Sequence, residues 1–459
     1  MLAIAAATWL CLTLPAAAGT YTSSAHGSST TGVNRTSLNN ATTGEDYSIG
    51  NCAHCHEQHA SVEGAEPAPD TGPANYLGMA KESGGTGAEQ SLCLHCHGLG
   101  GNGAGGAPDN IFTDISKTGG RHNMAVSDSA HRANETQSQI NSNRHVECTD
   151  CHNPHAAGKT MHTKGIATGN EIAATTPLHK ATGVVPSFSG SNWTAPTSYS
   201  AIQTATKEYQ VCFKCHSGAV GNPATWSGTS GSTAWTDVGL EFSPKNKSFH
   251  PIVAGLASGG SGSSALTAGQ LSAPWNTNVG TQTMFCSDCH ASDSAVAGPH
   301  GSGYKWMLTG TNKAWPFTSA ASNGANSGTY RLITSFGSAA GTDSCFCWNC
   351  HPNDKTKNTA HSQTQHHTSA FKPYCVDCHI RVPHGGKVSR LIAADNNASY
   401  TNLPARYTAN GEGKNSSGGT APMTRKFTKQ APGSYGFGDC YTPQCGAKHN
   451  SSGYGSETW

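Results

Sequence analysis

The sequence is poor in the side chains that fill protein interiors. Its 459 residues include 18 Leu, 12 Ile, 15 Val and 12 Phe, together about 12% of the chain, where less than about 20% rarely offsets the entropy of ordering a fold. Charge is scarce as well, at 12%, and balanced at 28 basic against 27 acidic residues. Self-repulsion therefore does not explain the thin core, and no basic stripe is left for nucleic acid. Met is rare at 7. Beyond residue 18 no apolar run approaches the length of a membrane span. These absences exclude an ordinary packed enzyme domain, and they require an interior made of something other than aliphatic side chains.

What is abundant is Gly at 55, His at 24 and Cys at 18. Residues 1–18, MLAIAAATWLCLTLPAAA, are apolar and end in small residues of the A-x-A kind. They read as a secretory signal removed before Gly19, which predicts a secreted protein at the cell surface or outside it, with the periplasm as the alternative. No membrane span is expected in the mature chain.

Seven times the chain writes C-x-x-C-H. The copies, numbered here as motifs one to seven, are Cys52/Cys55/His56, Cys93/Cys96/His97, Cys148/Cys151/His152, Cys212/Cys215/His216, Cys286/Cys289/His290, Cys347/Cys350/His351 and Cys375/Cys378/His379. Chance would give about 0.04 copies at these Cys and His frequencies. The spacing suits covalent haem. Two thiols three positions apart reach the two vinyl groups on one edge of the ring, and the next residue brings its imidazole under the iron. Zinc would need paired C-x-x-C units, and a redox dithiol a βαβ setting; neither explains the following His. The expectation is seven covalent c-type haems, which also supply the missing interior. The predicted fold is mostly irregular coil with few short helices, most beginning at the motifs, and minor β-hairpins. The extended chain wraps a haem stack, and its folding depends on haem insertion.

Seventeen further His are more than seven distal ligand positions require, and with Met so rare bis-His coordination is the simplest scheme. His59, His155 and His384 closely follow motifs. His59 and His155 sit one helical turn beyond a proximal His on the same face, so each is expected to serve a neighbouring haem. His122, His131, His250, His300 and the pair His366/His367 are the next candidates; His145, His162, His179 and His361 are reserves. His54 and His95, inside motifs, and His449 in the tail are expected to face solvent. His26 lies on a polar arm without a local motif and is a natural ligand to donate to another subunit.

Cys440 and Cys445 lack a following His and read as a small disulfide loop. Cys345 opens the run CFCWNCH, and it either pairs elsewhere or competes with Cys347. The first Cys of successive motifs are 41, 55, 64, 74, 61 and 28 residues apart, so no fixed repeat emerges. Gly/Ser/Thr/Asn stretches such as GLGGNGAGGAP separate the motifs and read as loops, and Tyr330 to Phe336 leans towards strand. The expected organisation is a signal at 1–18, a haem-binding region at 19–400 and a C-terminal cap at 401–459.

The segments CTDCHNPH, GPHGS and CHIRVPHG resemble multihaem c-type cytochromes of metal-respiring bacteria, and the His-bearing arm is similar to that of extracellular cytochromes that polymerise into nanowires. The resemblance covers residues 52–384. It implies haems stacked in alternating parallel and T-shaped pairs, with an N-terminal His, here His26, ligating a haem of the adjacent subunit. It also implies other multihaem cytochromes or extracellular acceptors as partners, and an electron carrier rather than an enzyme. The competing expectation is a multihaem reductase of nitrite- or hydroxylamine-like substrates, which needs one haem with an open distal position. No motif ends in Lys, the usual sequence hint of such a site.

Overall fold

The computed structural model describes residues 21–34, 47–56, 93–98 apart from 95, 110–124 apart from 123, 146–162, 170–220 apart from 189, 237–256, 266–310 apart from 297, 346–351, 379, 383–386 and 391, and four two-residue strands between 426 and 458. The signal segment, Cys345, the 330–336 segment and the Cys440–Cys445 pairing lie outside what is described. Among the described residues the chain is mostly coil, with short helices and small antiparallel sheets. None of these helices is long and apolar enough to cross a membrane.

Each helix is short because its own sequence starts and stops it. In α1 (Ile111–Ile115) the Asn110 side chain accepts from the Thr113 N–H at 3.3 Å, and Ser116 turns back onto the Phe112 carbonyl at 2.7 Å. In α2 (Cys148–Cys151) the carboxylate of Asp150 accepts the Glu147 N–H at 2.8 Å, and Asn153-Pro154 then forces extended backbone. Asp288 repeats that bond to the Phe285 N–H at 2.9 Å over the 3₁₀ turn Cys286–Asp288. Helix α3 (Glu208–His216) begins where Gln210 Oε1 accepts from the Thr206 and Lys207 N–H groups at 2.8 and 3.1 Å. In α4 (Val238–Glu241) Asp237 caps the Gly239 N–H at 2.8 Å and accepts the Tyr199 hydroxyl at 2.6 Å. Turns do begin at several motifs, but α1 and α4 lie away from any motif and α3 starts four residues before Cys212.

The strands pair in twos. β1 (Gly120–Arg121) pairs with β5 (Gly301–Ser302), β2 (Gly183–Ser187) with β3 (Ser198–Ile202), and β4 (Ser248–Phe249) with β6 (Gly385–Gly386). Beyond them β7 (Lys426–Phe427) pairs with β9 (Cys440–Tyr441), and β8 (Ser434–Tyr435) with β10 (Glu457–Thr458). A modest apolar cluster sits around α3, where Tyr209 and Phe213, one turn apart, meet Val184, Phe242, Ile252, Leu271, Trp275 and Met284. Cys286, Cys289 and Cys350 pack against its edge, so the described core borders the motifs.

Candidate functional site

Every motif with a described backbone bond makes one helical turn. The His N–H bonds back to the carbonyl of the first Cys in His56–Cys52, His152–Cys148 and His290–Cys286 at 2.9 Å, and in His351–Cys347 at 3.0 Å. In motif four α3 carries the same residues. One turn brings both thiols and the imidazole to one side of the backbone, as attachment to a single flat ring demands.

Six motif histidines each face one histidine from elsewhere in the chain. Ring centroids are 5.8 Å apart for His56 and His155, and 6.1 Å for His97 and His26, His152 and His300, His216 and His122, and His290 and His384; His351 and His250 stand at 6.5 Å. With metal–imidazole bonds of about 2.0–2.1 Å and roughly 1.1 Å from ring nitrogen to centroid, two imidazoles on one metal have centroids about 6.2–6.4 Å apart. Aromatic contact alone could give such a distance. It would not select, six times, one motif histidine and one other.

The ring nitrogens agree with this. Nδ1 of His26, His122, His152 and His290 lies 2.9, 2.7, 3.1 and 2.8 Å from the carbonyl oxygens of Pro154, Pro299, Pro177 and Trp306, and His250 Nδ1 bonds Pro383. His384 Nδ1 lies 2.5 Å from Glu241 Oε2. Donation through Nδ1 fixes the tautomer that leaves the Nε2 lone pair for a metal. Burial pushes His250, His290 and His300 down to about 4 and lowers His122, His152, His155 and His351. The imidazoles are thus held neutral, the form that ligates. Donor set, spacing and tautomer all fit an iron between each pair.

The non-motif histidines come from one device used three times. His122 follows β1 and His250 follows β4, and their strands run antiparallel to β5 and β6, which follow Pro299-His300 and Pro383-His384. The backbone N–H of His122 bonds His300 O at 3.2 Å, and that of His250 bonds His384 O at 2.9 Å. In the N-terminal copy Ala25 N–H bonds Ala157 O at 2.8 Å beside Pro154-His155. In each strap the Pro carbonyl receives the Nδ1 bond of the opposing histidine. One strap therefore serves two neighbouring sites: motifs one and two, three and four, five and six. Glycine is required where another carbonyl covers the strap. A Cβ on Gly301 would lie 1.9 Å from Asp114 O, and one on Gly385 1.8 Å from Glu241 O.

Consecutive motifs also touch. The Cys212 thiol is raised first by its hydrogen bond with Cys286, while burial and then Cys212 raise Cys151, and burial and then Cys289 raise Cys350. Glu208, Cys212 and Cys286 bring ligand atoms within 4.8 Å of one another, a metal-like trio that arises where motifs four and five meet.

Several expectations need correction. The motif thiols were expected to belong to a covered interior, and the polypeptide alone does not cover them. Among the second cysteines of the motifs, Cys55 and Cys96 are only half-buried and Cys215 is exposed; the first cysteine Cys52 is exposed too. The reason is the composition: the aliphatic side chains that would close over these sulfurs are the ones the sequence lacks. His26 lies opposite His97 of its own chain and does not reach away from it. His54 does not face solvent: it is 1% exposed, with Nε2 3.1 Å from Ser48 O. His162 bonds Asp288 at 2.9 Å and lies against Phe285, with no facing motif histidine among the described residues. His155, His122, His250, His300 and His384 all face motif histidines; His59, His131, His366, His367, Cys375 and Cys378 lie outside the described residues. Sequence reading missed Glu241 and the carbonyl acceptors; the recurring P-H dipeptide was the available signal. Comparison with protein-family models, with curated proteins and with solved structures found no match.

Proposed function

We propose that the chain is a heptahaem c-type cytochrome that passes electrons along a row of covalently held haems. The observation that carries this reading is the set of six motif-to-other histidine pairs with ring centroids 5.8–6.5 Å apart. Bound haem supplies one-electron iron chemistry; the protein supplies spacing, axial ligands and insulation. Thioether attachment would come from Cys52 with Cys55, Cys93 with Cys96, Cys148 with Cys151, Cys212 with Cys215, Cys286 with Cys289, Cys347 with Cys350 and Cys375 with Cys378. Straps and touching motifs give an order of two, one, three, four, five, six, with motif seven beside five through His379 and His384. Secretion, and delivery to extracellular acceptors or to other multihaem cytochromes, belong to the same reading.

The ligand register also supports a polymer. His155 follows motif three and faces motif one, His300 follows five and faces three, and His384 follows seven and faces five. His59 follows motif one and has no earlier motif to face, while motif seven has no later motif behind it. Joined head to tail, each copy supplies what the next one lacks. This assigns the intersubunit ligand to His59.

Mass spectrometry of the purified mature protein should exceed the polypeptide by seven haems and accompany a Soret band; a bare polypeptide mass overturns the reading. Sheared extracellular material should contain filaments, and His59→Ala should abolish them without removing haem. The reductase reading needs an open distal position, so it predicts CO binding to the reduced wild-type protein.

A further inference from the structure

Two of the three straps are built alike but end in different electrostatics. Asp114 and Glu241 hold equivalent places. Each lies near the end of the short helix before the distal-histidine strand, each is 0% exposed, and each carbonyl covers the strap glycine. The sequences run in parallel too, IFTDISKTGGRH ending at His122 and VGLEFSPKNKSFH ending at His250.

The two carboxylates are used differently. Asp114 Oδ1 takes the Lys117 ammonium at 2.6 Å, and Oδ2 takes the Ser294 hydroxyl at 2.6 Å. Its charge is thereby compensated, and the buried Nδ1 of His300 has no hydrogen-bond partner among the described residues. Glu241, one methylene longer, places Oε2 2.5 Å from His384 Nδ1. A carboxylate acceptor makes a ligating imidazole more basic than a carbonyl does, and adds a negative charge near the metal. Both effects favour the ferric over the ferrous state.

We propose that Glu241 is a potential-setting residue: through its bond to His384 it holds the motif-five haem at a lower reduction potential than the motif-three haem, where Lys117 has claimed the equivalent Asp114. This rests on the heptahaem reading. It makes the row uneven by design, with a step between two otherwise matching sites.

The test is spectroelectrochemistry on the full-length holoprotein, with electrons supplied by the poised electrode. His384→Met and His300→Met each raise the potential of the haem they ligate, so the component that leaves the wild-type profile identifies each site. The motif-five component should lie below the motif-three component. Glu241→Gln keeps size and acceptor but loses charge. It should raise the motif-five component by at least a tenfold change in ferric-to-ferrous ratio at fixed potential, 59 mV for one electron, and alter one low-spin ferric EPR signal. Asp237→Asn, a nearby buried carboxylate that meets Tyr199 instead, should leave it in place. An unmoved component in Glu241→Gln, an equal shift in Asp237→Asn, or a motif-five component at or above that of motif three overturns the proposal. If Glu241→Gln does not retain seven haems, the order of the two Met-marked components decides alone. A wild-type protein without seven haems would instead defeat the heptahaem reading.

Discussion

Replacing Gly301 by Ala tests whether the straps hold the ligands. The added Cβ would lie 1.9 Å from Asp114 O, and ordinary contact begins at 3.4 Å, so the two segments must part by about 1.5 Å. Neither side yields cheaply. Asp114 is fully buried and tied to Lys117 and Ser294, while β5 is held by its pairing with β1. Overpacking of this kind costs about 1–3 kcal/mol. The least costly relief is separation of β1 from β5, which carries His122 and His300 away from the rings of His216 and His152. The reduced variant is therefore expected to bind up to two CO per chain where the wild type binds none at these sites, with a lowered thermal midpoint and seven haems still attached. Ala156→Gly is the matched control, because the first strap already carries a buried Ala at that position. Should Gly301→Ala keep the wild-type midpoint and bind no additional CO, the strap is not what positions these histidines.

Two further outcomes follow from single contacts. His300→Ala should open one haem, that of His152, and add one CO per chain; additional CO at any other haem would break the pairing assigned here. Glu208 is buried, accepts the Ser287 N–H at 2.8 Å and hydroxyl at 2.7 Å, and burial raises its carboxyl above the usual carboxylate range. An acid whose folded pKa exceeds its unfolded one imposes no charge-burial cost below the unfolded value, and the cost grows as pH rises from there through the folded value. The stability difference between Glu208→Gln and wild type should thus move in favour of Gln across that window, and a difference independent of pH would refute this.

The motifs, the proximal histidines and the coil-rich fold were legible because covalent attachment dictates a short, fixed spacing. Distal ligands were legible only as a pool. His155 and His384 were expected to serve neighbouring haems, and they face the rings of His56 and His290, since a residue one turn from a proximal ligand cannot reach the far side of the same ring. His26 was read outward because nothing in its own segment shows the Pro154 carbonyl, which is supplied 128 residues away. His54 was misread because spacer position says nothing about what the next loop covers. The hairpin of β2 and β3 had no sequence signature beyond Val184 and Val185, and its pairing follows from packing against α3.

The repeat hidden from the spacing analysis has a physical reason. Motif separations vary because loops between sites tolerate insertion at small entropic cost. What cannot vary is the order in which histidines meet. A strap must lie within one residue's reach of two neighbouring rings, and its two strands must be antiparallel for both imidazoles to point outward. That condition fixes an alternation, strand histidine, odd motif, P-H histidine, even motif, without fixing any length. The alternation appears with His26, His122 and His250 as strand members and with His155, His300 and His384 as P-H members. The chain repeats in its ligand connectivity while its sequence intervals do not, so a search by period fails where a search by which histidine serves which motif succeeds. It also explains why matching sites can drift apart electrically: with geometry set by the strap, the buried acid at its back is free to change from Asp114 to Glu241.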